Sequence, residues 1–370
     1  MASLAYLDWN ATAPLRAEAA EAMAEALRRM GNPSSVHRWG RAARQAVERA
    51  RAQVASLVGG APAEVIFTSG GTEANHLALL GVRDRPALIS AIEHDSVREA
   101  VPGATKVPVT SDGVIDLAAL EALLAVETRP ALVSVMLANN ETGAIQPVAE
   151  AVAIAHAEDA LVHCDAIQGA GKIAVDLAAL GVDLLSISAH KLGGPQGVGA
   201  LVVRDGVALA ALQRGGGQER GRRAGTENGP GIAGFGVAAE LAVRESVLSA
   251  GVAALRDRAE VALTAVASEA RIFAKDTPRL PNTLCIGMPG VPASTQVMAL
   301  DLAGVMVSAG AACSSGKVRR SHVLTAMGAS PEEAESAIRV SLGWSTTPAD
   351  IKQLVDAWTA LYRRTRSAAA

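Results

Sequence analysis

A lysine closes the run Leu184-Leu185-Ser186-Ile187-Ser188-Ala189-His190-Lys191, and Leu192-Gly193-Gly194-Pro195 follows. A lysine at the end of a buried strand is costly to keep charged, and burial lowers its pKa. A lysine made neutral in that way is a nucleophile, commonly used to form a Schiff base with a carbonyl cofactor. Thr68-Ser69-Gly70-Gly71-Thr72-Glu73-Ala74-Asn75 follows another apolar run and opens a helical pattern. There the glycines let backbone approach an anion, and the helix start and the Thr72 hydroxyl supply donors. His163-Cys164-Asp165-Ala166-Ile167-Gln168 ends a third run. Strand alternation puts His163 and Asp165 on one face, where a carboxylate can pair with a protonated heterocyclic nitrogen. Cys164 reads as core.

Two later segments add chemistry. Residues 213–226 mix glycine with four arginines and end on Thr226, which suits a phosphate contact or an interface. Residues 309–322 hold Cys313 among small and basic residues, where positive charge favours the thiolate. Arg339, on a later strand-like run, is suited to clamp a carboxylate with two parallel hydrogen bonds. Each place has an ordinary alternative: a surface lysine, a capped helix start, an N-cap aspartate, a solvated loop, a structural cysteine, an ion pair.

Elements that place these residues at strand ends follow from apolar patterning. Val65–Thr68, Ala87–Ser90, Leu132–Met136, Leu161–Asp165, Leu184–Ser188 and Gly199–Val203 are continuous apolar runs. Helical stretches at 18–29, 42–58 and 117–125 precede or separate them. Continuous apolar strands alternating with helices predict an α/β domain with a largely parallel sheet and its ligand beyond the strand C-termini. A helical stretch at 232–267, broken near Gly251, reads as a connector. Short strands at 282–286, 305–308 and 338–342 then predict a smaller α+β domain.

Composition narrows the function. The chain has 370 residues, 50% hydrophobic and 2% aromatic, with a formal net charge of -3. Near-neutral charge argues against a general binder of nucleic acid or membrane surfaces, and scarce aromatics argue against base stacking. No signal segment is visible in residues 1–10 and no apolar stretch is long enough to span a bilayer. Three widely spaced cysteines make no disulfide framework, so a cytoplasmic protein with reduced thiols is expected. The glycines at 193–199 lack the Gly-Lys-Ser/Thr ending of a P-loop.

Taken in order, the motifs resemble the pyridoxal 5'-phosphate-dependent cysteine desulfurases of the NifS/IscS type, within the class V aminotransferase group of fold type I. The resemblance starts at Tyr6-Leu7-Asp8-Trp9-Asn10-Ala11-Thr12 and runs through Asn32-Pro33-Ser34-Ser35-Val36-His37, Glu93-His94 and Ala138-Asn139-Asn140-Glu141-Thr142-Gly143. It continues through the Asp165, Lys191, Thr226 and Cys313 segments to Ile338-Arg339-Val340-Ser341-Leu342-Gly343. It implies a large domain over 13–243, built on a mostly parallel sheet of the seven-stranded type flanked by helices. A smaller α+β domain over 244–370 would take residues 1–12 as its N-terminal arm.

By this resemblance Lys191 carries the cofactor, His94 stacks on its ring, Asp165 pairs with the ring nitrogen and Gln168 touches the phenolic oxygen. Gly71, Thr72, Ser188 and His190 hold the phosphate, and Thr226 reaches it from the other subunit of a homodimer. Asn10, Asn140 and Arg339 bind the substrate, L-cysteine. Lys191 moves the α-proton, with His94 as a further acid–base group. Cys313 attacks the substrate sulfur and becomes a persulfide that passes sulfur to a protein acceptor such as an iron–sulfur scaffold. No resident metal is implied, although the Cys313 persulfide is a candidate transient ligand of a partner's cluster. The loop resembles the long-loop group.

Three departures stand out. Trp9 and Ala13 replace the usual Asn and Thr, with Trp9 expected near the mouth of the site. Ala-Gly-Ala-Ala-Cys replaces the common Ser-Gly-Ser-Ala-Cys. Competing readings are an aminotransferase or selenocysteine lyase of the same group, and a non-catalytic assembly scaffold.

Overall fold

A computed structural model describes residues 4–245, 249–310 and 320–369. Its strands, in chain order, begin with β1 (Ala5–Tyr6), β2 (Val65–Thr68), β3 (Ala87–Ser90), β4 (Thr105–Val107) and β5 (Leu132–Met136). β6 (Leu161–Asp165), β7 (Leu184–Ser188), β8 (Gly199–Val203) and β9 (Arg271–Ile272) follow. The last are β10 (Thr283–Gly287), β11 (Val305–Met306), β12 (Ser308–Ala309) and β13 (Ala337–Ser341).

Seven of these form the central sheet, in the order β2-β8-β7-β6-β5-β3-β4. Neighbours from β7 to β4 run parallel, and β8 is antiparallel to both β7 and β2. β5, β6 and β7 read as apolar runs because helices cover both faces, so almost every residue is buried. Every expected strand of this sheet is present, and the fold is the α/β, mostly parallel, helix-flanked architecture expected. The strand missed is β4. It is three residues long at an exposed edge, with Thr105 and Lys106 facing solvent, and so carries no apolar run.

One core joins this sheet to the helices Ala17–Arg28, Arg38–Leu57 and Gly229–Arg244 through Ala19, Val47, Ala50, Val54, Ile232 and Phe235. A second core gathers Leu284, Ile286, Ile338 and Val340 with Trp358 and Leu361 of the helix Pro348–Ala369. Its sheet has the order β12-β13-β10-β9. Ala5 and Leu7 belong to this second core, because β1 pairs with β11 and Asp8 bridges to Ser341.

Two expectations need adjusting. The 305–308 run is not one strand: Val305 and Met306 pair with β1, whereas Ser308 and Ala309 pair with β13. The 232–267 stretch is two helices, and Gly251 lies inside the second, Ser249–Val266, not at the break. The first helix packs on the first core through Ile232 to Ala242, and the second packs on the other core through Ala259 and Leu263. Among the described residues no helix is long and apolar enough to cross a membrane.

Candidate active site

The C-terminal ends of β2, β3, β5, β6 and β7 border a cavity of about 350 Å³. Gly71, Thr72, His94, Asn140, Asp165, Gln168, Ser188, His190 and Lys191 line it from the first sheet, and Asn10 and Arg339 from the second core. Eleven expected site residues are thus brought together from places 329 positions apart in sequence.

Lys191 ends a 3-10 turn after β7, and its Nζ donates to the backbone oxygens of Asn10 and Ala11, each at 2.7 Å. Burial, and then the Arg339 charge, lower its pKa to about 8. Asp165 ends β6 and is buried. Its Oδ1 accepts the Ile167 N–H at 3.0 Å and its Oδ2 accepts Asn75 Nδ2 at 2.8 Å. Burial pushes this carboxyl up, while the two hydrogen bonds and the Lys191 charge pull it back. No cationic side chain is paired with it among the described residues. Two residues earlier on the same face, His163 is held by Ser134 Oγ at Nδ1 and Ser186 Oγ at Nε2, both at 2.9 Å. Burial lowers its pKa to about 3, so it is a neutral part of the sheet and not a ligand.

The phosphate expectations fall on one side of the cavity. A Cβ added at Gly71 would lie 2.3 Å from Ile167 Cδ1, so a larger residue at this helix start would have to push that side-chain tip aside. His190 Nδ1 is 3.2 Å from Thr12 Oγ1. Burial, with the Lys191 and Lys172 charges, lowers its pKa to about 4, leaving a neutral ring. Thr226 is not at this cavity. It borders a separate hollow with Ser69, Gly197 and Arg223. Its segment is largely exposed but pinned at one point: buried Glu219 accepts Arg51 Nη1 and Nη2 at 2.7 and 2.9 Å and the Phe67 N–H at 3.0 Å.

On the other side, Arg339 is 3% exposed. Its Nη2 donates to Asp8 Oδ1 at 2.7 Å and its Nη1 to Asn140 O at 3.1 Å, while Nε is buried and has no partner among the described residues. Asn10 has every side-chain polar atom engaged. Its Nδ2 donates to Asn140 O (3.3 Å) and Thr283 Oγ1 (2.9 Å), and its Oδ1 accepts from Lys172 (2.6 Å) and Asn282 (3.1 Å). Gln168 Nε2 donates to Asn10 O at 3.0 Å.

Sequence reasoning missed several supports. Lys172, four residues after Gln168, donates to Gln168 Oε1 at 2.5 Å and so fixes which end of that amide faces the cavity. Burial and the Lys191 and Arg339 charges hold its pKa well below the ordinary lysine value. Glu93 is buried, with Oε1 accepting the Met136 N–H at 2.6 Å. Burial and the Asp165 charge push its pKa far up, which favours the protonated, neutral carboxyl. Asn75 and Ser96 link Asp165 to His94. Asn75 and Glu93 stand inside quoted motifs and Ser96 and Lys172 a few residues after them; nothing in residue type gave any of them a role.

Trp9 does not border this cavity. It packs edge-on to Trp344 at 4.5 Å and lines a smaller hollow of about 80 Å³ behind Lys191, with Arg16 over Trp344. Cys313 lies outside the described residues. Before it, a Cβ added at Gly310 would meet Glu141 Oε2 at 2.7 Å, and after it Ser321 Oγ donates to the same oxygen at 2.6 Å. Cys164 and Cys285 are buried, and burial pushes both thiols up, away from the reactive thiolate.

Residues 5–354 match the family model described as aminotransferase class-V. A cysteine desulfurase of Cereibacter sphaeroides is 45% identical over 366 residues, covering 95% of this chain and 94% of that one. The cysteine desulfurase IscS of Dictyoglomus turgidum is 41% identical, covering 98% and 95%. The crystal structure of a NifS-like protein from Rickettsia africae superposes with a TM-score of 0.92 at 36% identity, covering 97% of this chain and 99% of that one. With the fold, the ordered motifs and near-complete coverage in agreement, the chain belongs to the class V aminotransferase family and, within it, to the cysteine desulfurases.

Proposed function

We propose that this protein binds pyridoxal 5'-phosphate at Lys191 and removes sulfur from L-cysteine, leaving L-alanine and a persulfide on Cys313. The observation that carries the reading is one cavity holding a lysine of lowered pKa, a buried carboxylate without a cation, and an arginine with a free buried N–H. Those features fit the cofactor and its amino-acid substrate. Asp165 would meet the ring nitrogen as the missing cation. Gly71, Thr72, Ser188 and neutral His190 would hold the phosphate, and the Gln168 amide, oriented by Lys172, would present an N–H to the phenolic oxygen.

When bound, the cofactor withdraws electrons from the substrate Cα and makes its proton removable. The chain's residues do the rest. Arg339 receives the substrate carboxylate, with Asn140 beside it and Asn10 as the support that holds both in place. Lys191, neutral for a large fraction of the time near pH 8, carries the α-proton. The Cys313 thiolate attacks the substrate sulfur, and the S–S bond forms as the substrate Cβ–S bond breaks. The electron pair of that bond stays with the carbon skeleton, which takes up protons and leaves as alanine. The persulfide passes its outer sulfur to a protein acceptor such as an iron–sulfur scaffold.

The reading includes a cytoplasmic homodimer in which Thr226 completes the partner's phosphate site. It also divides the chain into a cofactor-binding domain (13–243) and a second domain (1–12 and 244–370). Purified protein is tested by its visible spectrum, then by sulfide and alanine release on adding L-cysteine and a reductant. The expected result is a cofactor band that responds to cysteine, with equal sulfide and alanine. Cys313→Ala should keep the band and lose sulfide release by roughly 10³-fold. Sulfide release retained by that variant would sink the role of Cys313.

A further inference from the structure

His94 is the N-cap of a four-residue helix, Asp95–Arg98, and caps it with its ring. Its Nδ1 accepts the backbone N–H of Ser96 at 3.1 Å. A cap needs an acceptor, and an imidazole nitrogen provides one only while it carries no proton. Ser96 Oγ lies 2.8 Å from the same Nδ1. The cap decides which of that pair donates: Nδ1 already accepts the Ser96 N–H and so carries no proton, and the hydroxyl must point its hydrogen at it. Asn75 Nδ2 lies 2.8 Å from Ser96 Oγ and 2.8 Å from Asp165 Oδ2.

An amide nitrogen has two donors and no acceptor, so both are used here. The reversed amide would set its oxygen against the Asp165 carboxylate. The observed orientation avoids that, and it leaves Asn75 Oδ1 buried without a partner. Ser96 Oγ accepts from Asn75 with one of its two lone pairs, which leaves its single hydrogen free to go to the bare His94 Nδ1. Two donors converge on Nδ1. The ring's own proton must then sit on Nε2, for which no partner exists among the described residues, and His94 borders the cavity.

We propose that Ser96, braced by Asn75 against Asp165, is a positioning residue that holds neutral His94 in its Nε2–H tautomer, so that the ring meets the cavity as a donor. In that tautomer Nε2 has no lone pair to accept a substrate proton, and Nδ1 is occupied by the serine. The α-proton is left to Lys191, and His94 serves groups in the cavity that gain negative charge. The catalytic consequence rests on the desulfurase reading above; the tautomer does not.

The test is long-range proton–nitrogen NMR of the full chain labelled with ¹⁵N-histidine, with and without pyridoxal 5'-phosphate, above the histidine titration range. His94→Asn assigns the signal. The expected result is a bare Nδ1 and a protonated Nε2 in the natural protein and in Ser96→Thr. In Ser96→Ala the Nδ1 signal should move toward that of an unbonded imine nitrogen. Turnover of Ser96→Ala should fall about tenfold in kcat, the equivalent of one lost hydrogen bond, with KM for L-cysteine nearly unchanged and recovery in Ser96→Thr. A proton on Nδ1 in the natural protein, or an Nδ1 signal unmoved in Ser96→Ala, overturns the proposal. Sulfide release by the natural protein separately decides the desulfurase reading, so the two failures are distinguishable.

Discussion

The two walls of the cavity are built on opposite principles. On the sheet wall, Lys191, Asp165 and His190 are held in states that water would not allow. Lys191 is lowered to about 8 and His190 to about 4, and the Asp165 carboxyl is raised by burial. Among the described residues Asp165 also lacks a cationic partner. On the arm wall, Asn10 has every side-chain polar atom engaged, and Arg339 has two of its three nitrogens engaged. One wall leaves charge unanswered and so invites a ligand. The other closes its hydrogen bonds and so fixes position, leaving one buried N–H open at Arg339. The difference teaches that perturbed groups mark where chemistry happens, whereas saturated ones mark what holds it still. His163 sharpens the point: it shares a strand face with Asp165, yet two serines satisfy it and remove it from the chemistry.

The contrast can be broken by substitution. The largest effect belongs to the sheet wall. Lys191→Ala should abolish the cysteine-responsive visible band and cut sulfide release by at least about 10³-fold; a surviving band of normal shape would remove Lys191 from the centre. Next comes the open N–H of the arm wall. Arg339→Ala should raise KM for L-cysteine by roughly tenfold to a hundredfold, the loss of charged hydrogen bonds, with the cofactor band intact. An unchanged KM would leave Arg339 as only the partner of Asp8.

Asn10→Ala should act on stability instead, because it strands buried donors and acceptors on Asn282 and Thr283. A loss of roughly 1–3 kcal/mol in denaturant unfolding is expected. A change confined to KM, with stability intact, would instead make Asn10 a substrate contact.

The smallest effect is a pH slope. The Glu93 carboxyl ionises near 4.5 when unfolded and far above that when folded. Across the interval the folded chain binds more protons, so this group's contribution to stability falls as pH rises. Glu93→Gln keeps the neutral shape and removes the titration. Stability measured from about pH 5 to about pH 8 should therefore flatten in the variant. A slope identical to that of the natural protein would show that Glu93 is ionised in both states.

Much of this was legible before any coordinates. The strands β2, β3 and β5 to β8 were readable because both of their faces are buried and the apolar run is continuous. β4 was not, since an exposed three-residue edge has no such run. β11 and β12 were not separable either, because the change of pairing at Val307 depends on partners some 30 and 300 residues away in sequence. Lys191, Asp165 and Gly71 announced themselves through type and position at strand ends. Lys172, Glu93, Asn75 and Ser96 did not, since a lysine, a glutamate, an asparagine and a serine beside a motif are ordinary until their partners are known. Trp9 was expected near the mouth of the site and lies behind Lys191, drawn there by Trp344.

The order of residues alone determined which side chains can do chemistry and which strand ends carry them. Those properties depend on local pattern: apolar runs bury themselves, and glycine or a hydroxyl at a helix start stays available to an anion. Only the tertiary structure decided the state and company of those side chains. The pKa of Lys191 depends on Arg339, and its hydrogen bonds on Asn10, 181 positions away. The proton on His94 depends on the Ser96 N–H that caps Nδ1, and Ser96 is held by Asn75, which answers to Asp165. Burial and charge act through space over a few ångströms, and which residues come that close is set by packing two cores against each other, not by any spacing along the chain.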